Sequence, residues 1–237
     1  MKKLLTAMLV FVFTVMPAMA DGQGKHLCIL SGQSNMAGLR PEVSFIPTVQ
    51  EALGKENVIV IKDAQGGQPI HRWYKKWKPV TGDAPDPKLV GDLYDRMMKK
   101  VDNAVKNKEI LTVTFVWMQG ESDANRFKSG VYAASMRGLI DQIAADFQRD
   151  DLNFVIGRIS DYGNNRRHNS EYWMAVREAQ EKVAEADPRG AWIDTDDLND
   201  GLDKRGNEIK NKLHYSAEGY KILGKRFADK AIDLIKK

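Results

Sequence analysis

The chain has few of the residues that cross-link a protein or bind a metal. Its 237 residues include one cysteine, Cys28, and four histidines. One cysteine excludes an intramolecular disulfide, so the fold must be held together by its buried apolar side chains. No two histidines have the spacing of a metal-ligand pair, which makes a metal site the poorer interpretation of this sequence.

The chain also lacks a strong excess of either charge. Removal of Lys2 and Lys3 with the N-terminal segment described below leaves 34 basic and 32 acidic residues, a net charge of +2. The lysines are scattered along the chain and form no basic stripe. This balance argues against a nucleic acid as the partner.

Long apolar runs are missing after residue 20, and the run before it has the features of a signal peptide. Two lysines precede an apolar core at 4–15, and Ala18-Met19-Ala20 is a typical cleavage site. The core is too short to cross a bilayer. We therefore expect a signal peptide over 1–20, cleavage near Ala20, export to the periplasm or the medium, and no stable membrane anchor.

Residues 21–237 are expected to form a single α/β domain, because strand-like and helix-like patterns alternate along them. Strands are predicted at 27–30, 58–61, 111–118, 154–159 and 191–193. Helices are predicted from recurring apolar residues over 89–105, 132–147, 172–186 and 220–234. This order favours a parallel sheet between two layers of helices, a three-layer α/β/α sandwich with right-handed crossovers.

Three polar blocks follow predicted strands, and a late histidine, His214, precedes the last helix. The first block is 32–38 (GQSNMAG), the second 66–73 (GGQPIHRW) and the third 117–123 (WMQGESD). Ligands bind at the carboxyl edge of open α/β sheets. Ser34 in the first block is our candidate nucleophile. It does not belong to the nucleophile elbow of the α/β-hydrolases, because that motif requires a glycine two residues after the serine.

Each block taken alone also fits an ordinary structural element. The first block could cap a helix, the second could form a turn, the third could be a solvated loop, and His214 could pack at a helix start. Their joint placement at one sheet edge favours a hydrolytic active site.

Together the three blocks and His214 resemble the sialate O-acetylesterase-like domain, carbohydrate esterase family 6 of the SGNH hydrolase superfamily. The resemblance extends from about Lys25 to the last helix. It implies a flavodoxin-like sandwich, the SGNH hydrolase fold. It also implies a serine esterase that removes O-acetyl groups from carbohydrates through an acyl-enzyme intermediate, without a metal or other cofactor. Acetylated xylan, acetylated sialic acid and other acetylated glycans all fit this chemistry as substrates.

The resemblance implies roles for individual residues. Ser34 would attack the acetyl carbonyl, and His214 would take its proton and return it to the leaving sugar hydroxyl. The amide of Ser34, an amide of Gly66 or Gly67, and the side chain of Gln119 would hold the oxyanion.

The sequence departs from the family pattern just before the histidine. The family usually has Asp-x-x-His, and here Asn211 stands in place of the aspartate. An asparagine can orient the imidazole, but it carries no charge to stabilise the imidazolium. Glu121 in the third block is the first candidate for the missing acid. Weaker candidates are Asp123, Asp200, Asp203 and Glu208.

Substrate contacts are expected from Asn35, His71 and Trp73, which lie in the first and second blocks. Tyr74 and Trp77 could add a flat apolar face for a sugar ring, although such aromatics equally often anchor a long loop. Two other functions stay open. The first is a non-catalytic carbohydrate-binding protein, which the missing aspartate would suit. The second is a lipid or thioester hydrolase of the same superfamily. Such an enzyme needs an acyl channel, and the polar segment 75–78 does not suggest one.

Overall fold

The computed structural model describes residues 24–79, 84–165 and 168–237. The predicted signal peptide and its cleavage site lie outside these ranges. None of the helices in the described ranges is long and apolar enough to cross a membrane.

A five-stranded parallel sheet forms the centre of the fold. Its strands are β1 (Lys25–Gly32), β2 (Val58–Ala64), β3 (Ile110–Met118), β4 (Asn153–Gly157) and β5 (Gly190–Ile193). Their order across the sheet is β2-β1-β3-β4-β5, and all neighbours are parallel. This is the flavodoxin-like order. The buried apolar runs of β1 and β3 occupy the middle of the sheet, as expected for strands covered on both faces.

Helices cover both sides of the sheet and complete the predicted three-layer sandwich. They are α1 (Ser34–Gly38), α2 (Phe45–Leu53), α3 (Asp92–Val105), α4 (Glu121–Asn125), α5 (Tyr132–Asp146), α6 (Ser170–Glu185) and α7 (Ala217–Ile235). Helix α2 packs against α7, and α5 packs against α6. The four helices predicted from apolar periodicity are α3, α5, α6 and α7, and all four are confirmed.

Parts of the fold differ from the prediction. Helix α2 was not predicted, because Pro47 in its first turn weakens the helical signal, although proline is tolerated there. An antiparallel hairpin of β6 (Gly201–Leu202) and β7 (Glu208–Ile209) was also missed, since its strands are too short to show a period. Strand β4 ends at Gly157, two residues earlier than predicted, where its pairing with β5 ends.

Candidate active site

The carboxyl ends of β1, β2 and β3 meet at a glycine. The Gln33 amide donates to the Met118 carbonyl at 2.8 Å, and the Gln65 amide donates to the Gly32 carbonyl at 3.0 Å. Gly32 has a φ of 142°, and a Cβ at this position would lie 2.0 Å from the Met118 oxygen. Because no other residue fits there, the first block begins with glycine, and the three blocks start from the same point of the sheet edge.

Ser34 is the first residue of α1 and is partly exposed. Gly66 lies against it, since a Cβ added to Gly66 would be 3.5 Å from the Ser34 Cβ. The third block is tied to both of the others. The Ser122 hydroxyl donates to the Gly67 carbonyl at 3.2 Å, and the Ser122 amide donates to Gln33 Oε1 at 3.1 Å. The structure therefore brings the proposed nucleophile and the Gly-Gly pair together.

The loop that carries His214 is bonded to the helix that carries Ser34 through Leu213, the residue before the histidine. The Leu213 carbonyl accepts a hydrogen bond from Asn35 Nδ2 at 3.1 Å. The residue before the histidine is thus bonded to the residue after the serine. His214 itself is exposed, and the partial burial of its ring lowers its pKa below 6.5. At neutral pH the ring is therefore mostly unprotonated, the form that can accept a proton from a serine.

Glu121 lies near this junction but is not bonded to the histidine. It is 2% exposed, and its Oε1 accepts from Asn35 Nδ2 at 2.9 Å. Burial raises its pKa to about 7. Within the described ranges no hydrogen bond joins Glu121 to His214. Oε1 faces Asn35, and Oε2 is buried without a hydrogen-bond partner in the described residues; the role of Glu121 as the acid stays a prediction.

Asn211 also has other partners. The side-chain Oδ1 of Asn211 accepts from Asn199 Nδ2 at 3.2 Å, and the backbone amide of Asn211 donates to the Asp200 carboxylate at 2.6 Å. The Asp203 carboxylate accepts from amides inside its own turn between β6 and β7. In the part of the chain that the structure describes, none of these side chains is bonded to His214. Asn211 therefore shapes the loop before α7 and does not orient the imidazole directly.

The side-chain amide of Gln119, predicted as an oxyanion donor, is engaged by other acceptors in this structure. The side chain is fully buried, and its two amide hydrogens go to the Gln68 carbonyl and to the Asp123 carboxylate. Asp123 also accepts from the Ile70 amide at 2.9 Å, and burial raises its pKa to about 6. Gln119 and Asp123 therefore anchor the second block against the end of β3; the oxyanion role of Gln119 stays a prediction.

The three predicted substrate contacts are buried side chains. Trp73 is fully buried and packs edge-on against Trp117, with ring centroids 5.1 Å apart. His71 is 6% exposed, packs against Trp77, and has its pKa lowered to about 4 by burial. Asn35 is 1% exposed. Trp73 thus exposes no surface to a sugar, and Asn35 and His71 expose little; contact of these residues with substrate stays a prediction. The aromatic residues of the second block anchor the loop.

Charged residues around α1 and β2 were missed in the sequence. Lys62 donates to the Ala37 and Leu39 carbonyls, and Lys204 donates to the Gly38 carbonyl at 2.6 Å. These two ammonium groups bind the carbonyls at the end of the short helix that carries Ser34. A lysine in a strand or a hairpin turn gives no sequence signal for this role. Among the described residues no group of three or more His, Cys, Asp or Glu side chains is placed to hold a metal ion.

The chain is similar to known carbohydrate esterases. A family model described as "Carbohydrate esterase, sialic acid-specific acetylesterase" matches residues 37–233. A comparison with curated protein sequences gives no match.

Solved structures share the fold. A protein from Arabidopsis thaliana aligns with a TM-score of 0.64 and 21% identity over 89% of this chain and 98% of that chain. A carbohydrate acetylesterase from Xanthomonas citri aligns with a TM-score of 0.65 and 17% identity over 89% of this chain and 56% of that chain. NanS aligns with a TM-score of 0.61 and 11% identity over 91% and 98% of the two chains. The expected three-layer α/β/α sandwich with a parallel, flavodoxin-like sheet is confirmed.

Proposed function

The chain belongs to the family of carbohydrate esterases described as sialic acid-specific acetylesterases, and we propose that it removes O-acetyl groups from carbohydrates with Ser34 as nucleophile and His214 as proton carrier. Its membership makes it a carboxylic ester hydrolase. The observation that carries the proposed mechanism is the hydrogen bond of 3.1 Å from Asn35 to the Leu213 carbonyl. It joins the neighbours of the two reacting residues across 178 positions of the chain.

The proposed reaction has two halves. Ser34 Oγ attacks the acetyl carbon while His214 accepts the hydroxyl proton, and the carbonyl electrons move onto the oxygen. When the tetrahedral intermediate collapses, the sugar oxygen leaves with the proton from His214 and the acetyl group stays on Ser34. Water then attacks this ester, gives a proton to His214, and releases acetate as Ser34 regains its proton.

The oxyanion is stabilised in this proposal by backbone amides. The Ser34 amide opens α1 and has no intrahelical acceptor, as is true of the first amides of any helix. The second donor is the amide of Gly66 or Gly67, and the position of Gly66 against Ser34 supports this. Each such donor is typically worth about 10²–10³ in turnover.

The histidine works in this proposal without a carboxylate bonded to it. Because no negative charge stabilises the imidazolium, turnover should be slower than in a complete triad, where loss of the acid costs about 10⁴. A neutral ring at neutral pH keeps the base ready to accept the proton. Within the described residues no carboxylate is hydrogen-bonded to His214, so we expect a slow esterase.

Acetate release tests the proposal. We expect hydrolysis of a short acetyl ester and of an O-acetylated sugar, and at least a 10³-fold loss in Ser34→Ala and His214→Ala, as is typical of triad residues. Ser135→Ala is the matched control, because the Ser135 hydroxyl bonds only the Val131 carbonyl of the preceding turn. Glycan binding without acetate release would support the binding protein, and a preference for long acyl chains would support a lipid or thioester hydrolase.

A kinetic comparison of acetylated glycans identifies the substrate class. Acetylated xylan, O-acetylated sialic acid and other acetylated glycans are the candidates, and their relative kcat/KM values identify the class. We also propose that the chain is exported, on the strength of the signal-peptide pattern in residues 1–20. Recovery of active protein from the periplasm or the medium tests that part.

A further inference from the structure

Asn35 is a buried junction between three parts of the active site. Its Nδ2 donates to Glu121 Oε1 at 2.9 Å and to the Leu213 carbonyl at 3.1 Å. Its Oδ1 accepts from the Tyr220 hydroxyl at 3.1 Å. Both amide hydrogens and the oxygen are therefore engaged, and the side chain has one possible orientation.

The contact with Leu213 fixes the backbone at the histidine. The Leu213 carbonyl belongs to the peptide unit that leads into His214, so holding its oxygen sets the plane of that peptide. The positions of the His214 amide nitrogen and Cα relative to α1 then follow. On the other side Asn35 is itself in α1, directly after Ser34. One amide group thus determines how the loop before α7 sits relative to the nucleophile.

Glu121 also holds the side-chain amide of Asn35, through the hydrogen bond to its Oε1. Within the described ranges Asn35 is the one side chain that donates to its carboxylate. The other titratable groups that interact with it are Asp123 on the same helix, Tyr132 at the start of α5, Tyr215 before α7 and Tyr220 in the first turn of α7. A buried carboxylate costs free energy that an apolar residue would not. Its use here makes sense if it orients Asn35, since a carboxylate accepts a hydrogen bond more strongly than a neutral oxygen does.

We propose that Asn35 and Glu121 are positioning residues, in which Glu121 orients the Asn35 amide and Asn35 holds the Leu213 carbonyl so that the His214 ring faces Ser34. This inference rests on the proposed function. In a triad, a carboxylate bonded to the histidine orients its ring. Here Glu121 would have this orienting role indirectly, through Asn35. Neither residue touches the substrate.

Two substitutions at Glu121 separate positioning from stability. Glu121→Gln keeps an oxygen that accepts from Asn35, so kcat should change by less than about fivefold. This small change reflects the replacement of a charge-assisted hydrogen bond by a neutral one. Glu121→Met fills the same space without an acceptor and removes a buried charge. We expect it to fold with equal or higher stability and to lose kcat by about 10²-fold at similar KM, because a small misplacement of the base is that costly. An unchanged kcat in Glu121→Met overturns the proposal.

A double-substitution cycle tests the Leu213 contact. Asn35→Asp keeps the shape but loses both donated hydrogens, so stability and kcat should both fall. In the double variant Asn35→Asp with Glu121→Gln, the new amide can donate to the new carboxylate, but nothing donates to the Leu213 carbonyl. We therefore expect stability to recover while kcat stays low. Recovery of kcat together with stability overturns the proposal.

Controls keep the two proposals distinct. Asn153→Asp places the same substitution at a buried asparagine of β4, whose Oδ1 accepts from Arg189 at 3.4 Å, and should leave kcat unchanged whether its stability rises or falls. If Ser34→Ala retains acetate release, the proposed function fails. If Ser34→Ala abolishes release while Asn35→Asp keeps full kcat, the positioning role alone fails.

Discussion

Replacement of Glu121 by glutamine should remove a pH dependence of stability that the structure allows us to work out. Burial raises the pKa of Glu121 from 4.5 to about 7. Below pH 4.5 the carboxyl group is protonated in both the folded and the unfolded protein. As the pH rises to 7, the unfolded chain loses this proton first, which favours unfolding. Above pH 7 the difference corresponds to about 3 kcal/mol lost from the free energy of unfolding.

Urea unfolding of the wild type and of Glu121→Gln over pH 4–8 measures this effect. The glutamine has the same shape, keeps an acceptor for Asn35 and does not titrate. The two proteins should be about equally stable at pH 4, and the variant should gain up to about 3 kcal/mol over the wild type by pH 8. Both proteins contain Asp123, whose pKa burial raises to about 6 and whose charge raises the pKa of Glu121, so the difference between them measures Glu121 together with its coupling to Asp123.

A difference that stays constant with pH would refute this reasoning, because it would mean that Glu121 titrates alike in the folded and unfolded states. A variant that becomes less stable as the pH rises would also refute it. In that case the carboxylate would be stabilised by the fold, and the hydrogen bond to Asn35 would outweigh the cost of burial.

Four further predictions follow from the site. Gly32→Ala should lower the free energy of unfolding by at least about 2 kcal/mol in urea titrations, because of its positive φ and the clash with the Met118 carbonyl. Gly66→Ala should fold with a stability within about 1 kcal/mol of wild type but lose at least about tenfold in kcat for acetyl ester hydrolysis, since its methyl group, 3.5 Å from the Ser34 Cβ, would take up space beside the nucleophile that the acetyl group needs. The kcat/KM of the wild type should rise with pH to a plateau, with an apparent pKa below 6.5 set by the partly buried His214. N-terminal sequencing of exported protein should begin at Asp21, and an intact Met1 would contradict the signal-peptide prediction.

The sheet and the meeting of the three blocks were predictable because they depend on local patterns. Apolar runs of four or more residues identified the central strands, and parallel strands bring their carboxyl ends to one edge. Gly32 was recognised as a tight turn from residue type alone. These inferences need no knowledge of where side chains point.

The direction of side chains after the strands could not be predicted. Asn35 and Glu121 are 86 positions apart and lie on two short helices, α1 and α4. A rotation of either helix by one residue would turn these side chains from the core to the surface, and nothing in the sequence sets that rotation. The same holds for Gln119, whose amide turns to Asp123 and the Gln68 carbonyl. The hydrogen bonds that bury Asn35 beside Ser34 therefore had no signal in the sequence.

The central claim is that Ser34 carries the acetyl group during turnover. Rapid mixing of the protein with an acetyl ester, acid quenching and peptide mass spectrometry measure this directly. The account predicts one acetyl group on the peptide that contains Ser34, formed faster than turnover and absent in Ser34→Ala. Acetate release with no acetyl group on this peptide, or with the label on another residue, would contradict it.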